Sequence, residues 1–189
     1  MKDTIKKIFE DSLAAKNVFL ADDLNVGKVA EAAQALIECY ERGGKVIVFG
    51  NGGSAADSQH MAAELLVRFE KERKSLPCIA LNTNSSTLTA MSNDYSFDRT
   101  FSRQVEAFAV EGDVAVAIST SGNSPNVLEG AKAARGKKAR VIALTGKDGG
   151  KLAGLADVPI VVKSGNTARI QEVHVTIIHA LCKLVEEGI

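Results

Sequence analysis

Two side chains one helical turn apart, His60 and Glu64, stand in the stretch FGNGGSAADSQHMAAEL that runs from Phe49 to Leu65. Residues four apart share a helix face, and an imidazole with a carboxylate there suits a metal ion or an acid–base pair. The same spacing also describes a plain surface pair worth about 0.2–0.5 kcal/mol. Met61, Ala62 and Leu65 supply the apolar neighbours that a partly buried site would have. The other two histidines, His174 and His179, fall in one late segment with Gln171 just upstream. His174 reads as a core histidine satisfied by a neighbour. His179, set among Ile177, Ile178, Ala180 and Leu181, fits a core position and a working one equally. Gln171 and His179 lie about 12 Å apart along a helix axis, too far for one straight helix to offer both to one small ion. If both serve one kind of site, a subunit interface brings one of them from a neighbouring chain.

Upstream of His60 lies Gly50-Asn51-Gly52-Gly53-Ser54, a turn suited to an anion. Gly52 and Gly53 admit backbone conformations closed to other residues and leave room for a ligand. Ser54 followed by Asp57 fits a helix-start signature, which predicts Ser54 as an N-cap and first-turn N–H groups aimed at a bound anion. Alone, an ordinary strand-to-helix turn explains it as well. A second turn, Ser119-Thr120-Ser121-Gly122-Asn123-Ser124 before Pro125, shifts the balance. Pro at the first helical position makes Ser124 the N-cap, and four hydroxyls are more than capping requires. Hydroxyls and N–H groups hold a phosphate without Lys or Arg. Both turns follow strands, on the edge where open α/β sheets bind ligands. GNGGSA is not G-x-G-x-x-G and no fitting acidic residue closes the next strand, so a dinucleotide site is set aside.

The elements that must position these residues follow from hydrophobic patterning. Five β-branched runs, Lys45–Gly50, Leu76–Leu81, Asp113–Ser119, Arg140–Thr145 and Val158–Val162, are nearly continuous, as in strands covered on both faces. Helical stretches at Ala55–Glu70 and Pro125–Arg135 alternate with them, which predicts right-handed crossovers, a parallel sheet and a three-layer α/β/α sandwich. Two helices, about Lys2–Leu20 and Leu24–Arg42, precede the first strand, and one, about Ala168–Glu187, ends the chain. They carry more apolar surface than one small sheet needs, so an oligomer is expected.

Lys plus Arg equal Asp plus Glu at 23 each and are scattered, which argues against nucleic acid as a partner. The charged start lacks a signal-peptide pattern, and no run approaches the roughly 18 apolar residues of a membrane span. Cys39, Cys78 and Cys182 are odd in number, far apart and in apolar surroundings, so they read as buried free thiols. A soluble, cytoplasmic protein is expected.

Five blocks in order, GNGGSAADSQHMAAEL, LTAMSNDYSFDRTFSRQVEAF, GDVAVAISTSGNSPNVLEGAKAAR, VIALTGKDGGKLAGLAD and NTARIQEVHVTIIHALC, resemble the bacterial phosphoheptose isomerases of the sugar isomerase (SIS) fold. The likeness runs from about Val46 to Leu184; the amino-terminal helices match in character only. It implies one SIS domain over 1–189, with a five-stranded parallel sheet of flavodoxin-like kind and 1–42 as a helical extension used in oligomerisation. It implies a cytoplasmic homotetramer with sites between subunits and one zinc ion per subunit. The implied reaction converts sedoheptulose 7-phosphate to D-glycero-D-manno-heptose 7-phosphate, the first step toward nucleotide-activated heptose. Carried over by the resemblance, Asn51, Gly52, Gly53, Ser54, Ser119, Thr120, Ser121 and Ser124 bind phosphate and sugar. Arg68, Asn93, Asp94, Glu64 and Gln171 fall on further substrate positions. His60, Glu64, Gln171 and His179 fall on zinc positions, with Glu64 and His179 also the acid–base pair. Val67 stands where relatives often carry Gly, and RGKKARVIALTG is slightly unusual; neither touches the chemistry. A non-catalytic binding platform of this fold lacks the acid and the histidine present here as Glu64 and His179. An isomerase for another phosphosugar would share the phosphate cradle, with only the polar groups around Asn93, Asp94 and Gln171 to tell it apart.

Overall fold

Side chains alternate along each strand, and the core divides accordingly. In the computed structural model, which describes residues 1–189, Val46, Val48, Val116, Ile142 and Ile160 enter one buried cluster. Ile47, Phe49, Ala115, Val141 and Ala143 enter the other. The strands are β1 (Val46–Gly50), β2 (Cys78–Ala80), β3 (Val114–Ser119), β4 (Arg140–Gly146) and β5 (Val158–Val162). All pair in parallel, in the order β2-β1-β3-β4-β5. The helices are α1 (Lys2–Leu20), α2 (Asp23–Glu41), α3 (Gly53–Leu66), α4 (Ser85–Asp94), α5 (Ser102–Phe108), α6 (Pro125–Gly136), α7 (Gly150–Ala153) and α8 (Thr167–Gly188). Helices α2, α3 and α8 cover the first face and α5, α6 and α7 the second. The three-layer sandwich and the five-stranded parallel sheet agree with the expectation from sequence. Two connections leave the sheet in opposite senses between β1 and β3, and ligands of doubly wound sheets bind at that switch point.

Four differences from the sequence reading have local causes. Leu76–Leu81 contracts to a three-residue strand, because Pro77 has no N–H to offer the ladder. Helices α4, α5 and α7 lack a long apolar stripe and escaped the periodicity. Ser54 is not the N-cap: Gly52 holds that position at φ 56°, and Ser54 is already buried inside the first turn. Helix α3 also ends at Leu66, four residues short of Glu70. There the buried carboxylate of Glu186, on α8, accepts the N–H groups of Phe69, Glu70 and Lys71 at 2.7, 2.8 and 2.9 Å. Arg73 donates to the carbonyls of Leu65 and Glu64 at 2.8 and 2.7 Å, closing the end of α3. Arg68 therefore lies in a loop, not on the helix. The long helices fall close to their expected bounds; Asp22 caps α2 and Asn166 caps α8. No helix is long and apolar enough to cross a membrane.

Candidate active site

The two hydroxyl- and glycine-rich turns meet because β1 and β3 are neighbours. A reciprocal amide pair joins them: Asn51 Nδ2 donates to Asn126 Oδ1 at 2.8 Å and Asn126 Nδ2 to Asn51 Oδ1 at 2.9 Å. Asn126 is buried, and its Oδ1 also accepts the Val127 N–H. Sequence reasoning passed over Asn126, whose only signal was its place one residue inside α6. On the β3 side, Ser119 Oγ lies 3.0 Å from Ser124 Oγ and 3.4 Å from Ser121 Oγ. Ser124 is the N-cap of α6 as expected, yet its hydroxyl turns into this cluster instead of onto a helix N–H. Thr120 stands between these serines in the same turn. On the β1 side, the Ser54 and Ala55 N–H groups turn back to the carbonyls of Asn51 and Gly52, so those two are not free for an anion.

Gly53 has a steric reason. A Cβ there would stand 2.2 Å from Gln171 Nε2, so the bare backbone is what lets the Gln171 carboxamide lie on the cradle. Helix α8 runs beside α3 and brings its second functional residue to the other end of that helix. His179 Nε2 lies 2.8 Å from His60 Nε2, and Glu64 Oε1 lies 3.7 Å from His60 Nε2. The structure thus gathers His60, Glu64 and His179, and holds Gln171 apart at the cradle. No three His, Cys, Asp or Glu side chains close round a single ion position within one chain. Phe69 flanks His179, with ring centroids 5.4 Å apart and planes at 30°.

Three other expected residues stand outside this cluster within the chain. Arg68 is exposed and reaches only toward Glu72, at 3.8 Å. Asn93 and Asp94, at the exposed end of α4, bond to each other at 2.8 Å. Asp57, one turn before His60, is a residue the sequence reading used only as a helix-start signal. It is buried, its Oδ2 has no partner, and burial pushes its carboxyl up to about 6 against a smaller opposing pull from His60. His174 is the core histidine expected, though satisfied at one nitrogen only: its Nε2 meets the Thr145 carbonyl at 2.9 Å in full burial, while its Nδ1 has no partner. Cys39, Cys78 and Cys182 are buried free thiols.

The largest cavity, about 760 Å³, lies at the opposite edge of the sheet. Its cations are already paired: Arg42 with Glu38, Lys45 with Asp113, Lys138 with Glu111 and Arg140 with Glu31. It lies far from the gathered imidazoles and carboxylate.

A doubly wound sheet with hydroxyl- and glycine-lined turns at its switch point, and an imidazole–carboxylate cluster further along one helix, is the layout of an α/β protein that handles a small polar ligand. A family model described as a SIS domain matches residues 13–146. The phosphoheptose isomerase of Citrifermentans bemidjiense is 56% identical over 84% of this chain and 82% of its own. That of Aquifex aeolicus is 50% identical over 99% of this chain and 97% of its own. The solved phosphoheptose isomerase of Neisseria gonorrhoeae superposes with a TM-score of 0.92 at 44% identity, covering 98% of each chain. The chain belongs to the SIS-domain family, within its phosphoheptose isomerases.

Proposed function

We propose that this chain converts sedoheptulose 7-phosphate to D-glycero-D-manno-heptose 7-phosphate, the opening step in making nucleotide-activated heptose. The observation that carries the reading is the layout of α3. Its start lies in the cradle formed by the β1 and β3 turns, and His60 and Glu64 follow two to three turns along, facing His179. From the start of α3 to His60 is about 10 Å along the axis, about the length of an extended seven-carbon sugar phosphate, and the Glu64 side chain leans back toward the helix start. Ketose–aldose isomerisation takes a proton from C1 and delivers it to C2 through an enediol. Glu64 is the carbon base; His179 moves protons on the two oxygens. Asn51, Gly52, Gly53, Ser54, Ser119, Thr120, Ser121 and Ser124 hold the phosphate and sugar, and Gln171 lies over the same cradle.

His60, Glu64, Gln171 and His179 would hold zinc. Imidazole and carboxylate suit that ion, and His60 lies within 2.8 Å of His179 and 3.7 Å of Glu64, although the three do not yet close round one ion position within the chain. When bound it would polarise the sugar oxygens. The apolar groove of about 440 Å³ between α1, α2 and α8, lined by Phe19, Leu20, Val26, Val29, Ile177 and Leu184, supports a homotetramer. In such an assembly Arg68, Asn93, Asp94 and Gln171 would complete a neighbour's site. The absence of a membrane-crossing helix agrees with a cytoplasmic enzyme.

The test is turnover of sedoheptulose 7-phosphate by the purified protein, before and after chelation and after zinc is returned. Loss on chelation and recovery with zinc is the expected result. Turnover indifferent to chelator would remove the metal and leave the isomerase; no turnover under any condition would overturn the reading. Glu64→Gln should still bind substrate by calorimetry while losing at least about a hundredfold in kcat.

A further inference from the structure

The loop that directly follows α3 leaves Val67 70% exposed and half-buries Phe69 against the core. It is pinned by polar groups from elsewhere. Three consecutive N–H groups converge on the Glu186 carboxylate, an arrangement that binds an anion tightly. That side chain is 1% exposed, and Arg73 Nε stands 3.1 Å from it. Burial alone would raise this carboxyl, but the N–H groups and Arg73 outweigh burial and hold it at about 2. The first of the three N–H groups belongs to Phe69, and the Phe69 ring lies against the imidazole of His179. His60 occupies a second side of that imidazole, its ring centroid 5.1 Å away and its plane tilted by 57°.

We propose that Phe69, fixed by the Glu186–Arg73 clamp, is a positioning residue that holds the His179 imidazole in its working orientation. The inference rests on the reading of His179 as the oxygen acid–base group. An imidazole turns freely about two side-chain bonds unless something bounds it, and proton transfer needs its nitrogen within hydrogen-bond reach of the substrate oxygen. Glu186 lies two turns beyond His179 on the same helix. One helix therefore carries both the working group and the anchor for the residue that steadies it.

The experiment compares Phe69→Leu, Phe69→Tyr, Glu186→Gln and His179→Asn as full-length chains with sedoheptulose 7-phosphate. Phe69→Leu should lower kcat about tenfold or more, with KM changed less than about threefold, because a small misplacement of a reacting group costs rate before binding. Phe69→Tyr keeps the ring and should recover most of kcat. A second readout is the ¹³Cε1–H signal of His179, one of only three histidines, assigned by its disappearance in His179→Asn. Ring-current displacement of that signal should be present in the wild type and Phe69→Tyr, and lost in Phe69→Leu. Glu186→Gln, if it folds, should reproduce the Phe69→Leu pattern. Normal kcat in Phe69→Leu with an inactive His179→Asn would overturn this proposal alone. So would equal loss in Phe69→Leu and Phe69→Tyr with the His179 signal unmoved. An active His179→Asn would take down the assignment of His179 and this proposal with it.

Discussion

At the scale of single residues, the cradle depends on what is missing as much as on what is present. Gly53 carries no Cβ, and that gap is filled by the Gln171 carboxamide. Gly53→Ala should leave the fold intact, since the obstructed atom is the end of a flexible side chain, yet raise KM about fivefold or more by displacing Gln171. In a Gln171→Ala background the same change should cost almost nothing further, and steady-state kinetics on the four variants checks it. The sequence alone disclosed both turns, the His60–Glu64 pair and the core role of His174. It could not disclose the Asn51–Asn126 pair, because that bond joins residues from two strands whose adjacency is a property of the sheet order. The capping role of Ser54 failed for a related reason: the backbone turn at Gly52 starts the helix earlier, and burial then claims the serine.

At the scale of elements, α8 links site to stability. His174, buried on its inner face, is held neutral: burial lowers its imidazole to about 4 from an ordinary 6.5, outweighing the bond to the Thr145 carbonyl. Below its ordinary value the unfolded chain takes up a proton that the folded chain refuses. Its contribution is therefore present above about 6.5 and is lost as pH falls toward 4, up to about 3 kcal/mol. Glu186, depressed from 4.5 to about 2, adds a loss that begins below its ordinary range. Asp57 runs the other way, its raised carboxyl favouring the fold in acid and losing that contribution as pH rises through about 6. Melting temperatures of wild type and His174→Gln should thus converge as pH is lowered from 7 to 4, the difference isolating His174 from the other two. Helix bounds were readable where long apolar stripes repeat, as in α1, α2 and α8. The end of α3 was not, since it is set by Glu186, 120 residues further along the chain than Leu66.

For the whole molecule, α1 is the odd element. It has no buried residue, and Ile5, Ile8, Phe9, Leu13, Val18 and Leu20 are between 48% and 69% exposed. Helix α2, by contrast, contributes Val29, Ala32, Leu36 and Cys39 to the core. An apolar face of that extent on a free helix calls for a cover, and the proposed tetramer supplies one. Phe9→Ser with Leu13→Ser should shift the sedimenting species to lower mass while circular dichroism stays near wild type. Unchanged mass would place the subunit contacts elsewhere.

In the proposed reading, the hydroxyl cluster at Ser119, Ser121 and Ser124 would grip the phosphate with dipoles alone, in a chain whose charges balance. Substrate capture then has little long-range attraction to draw on, and little for dissolved ions to screen. Raising ionic strength from about 0.01 to 0.15 M shortens the reach of bare charges from about 30 to 8 Å. Across that range kcat/KM should change by less than about twofold.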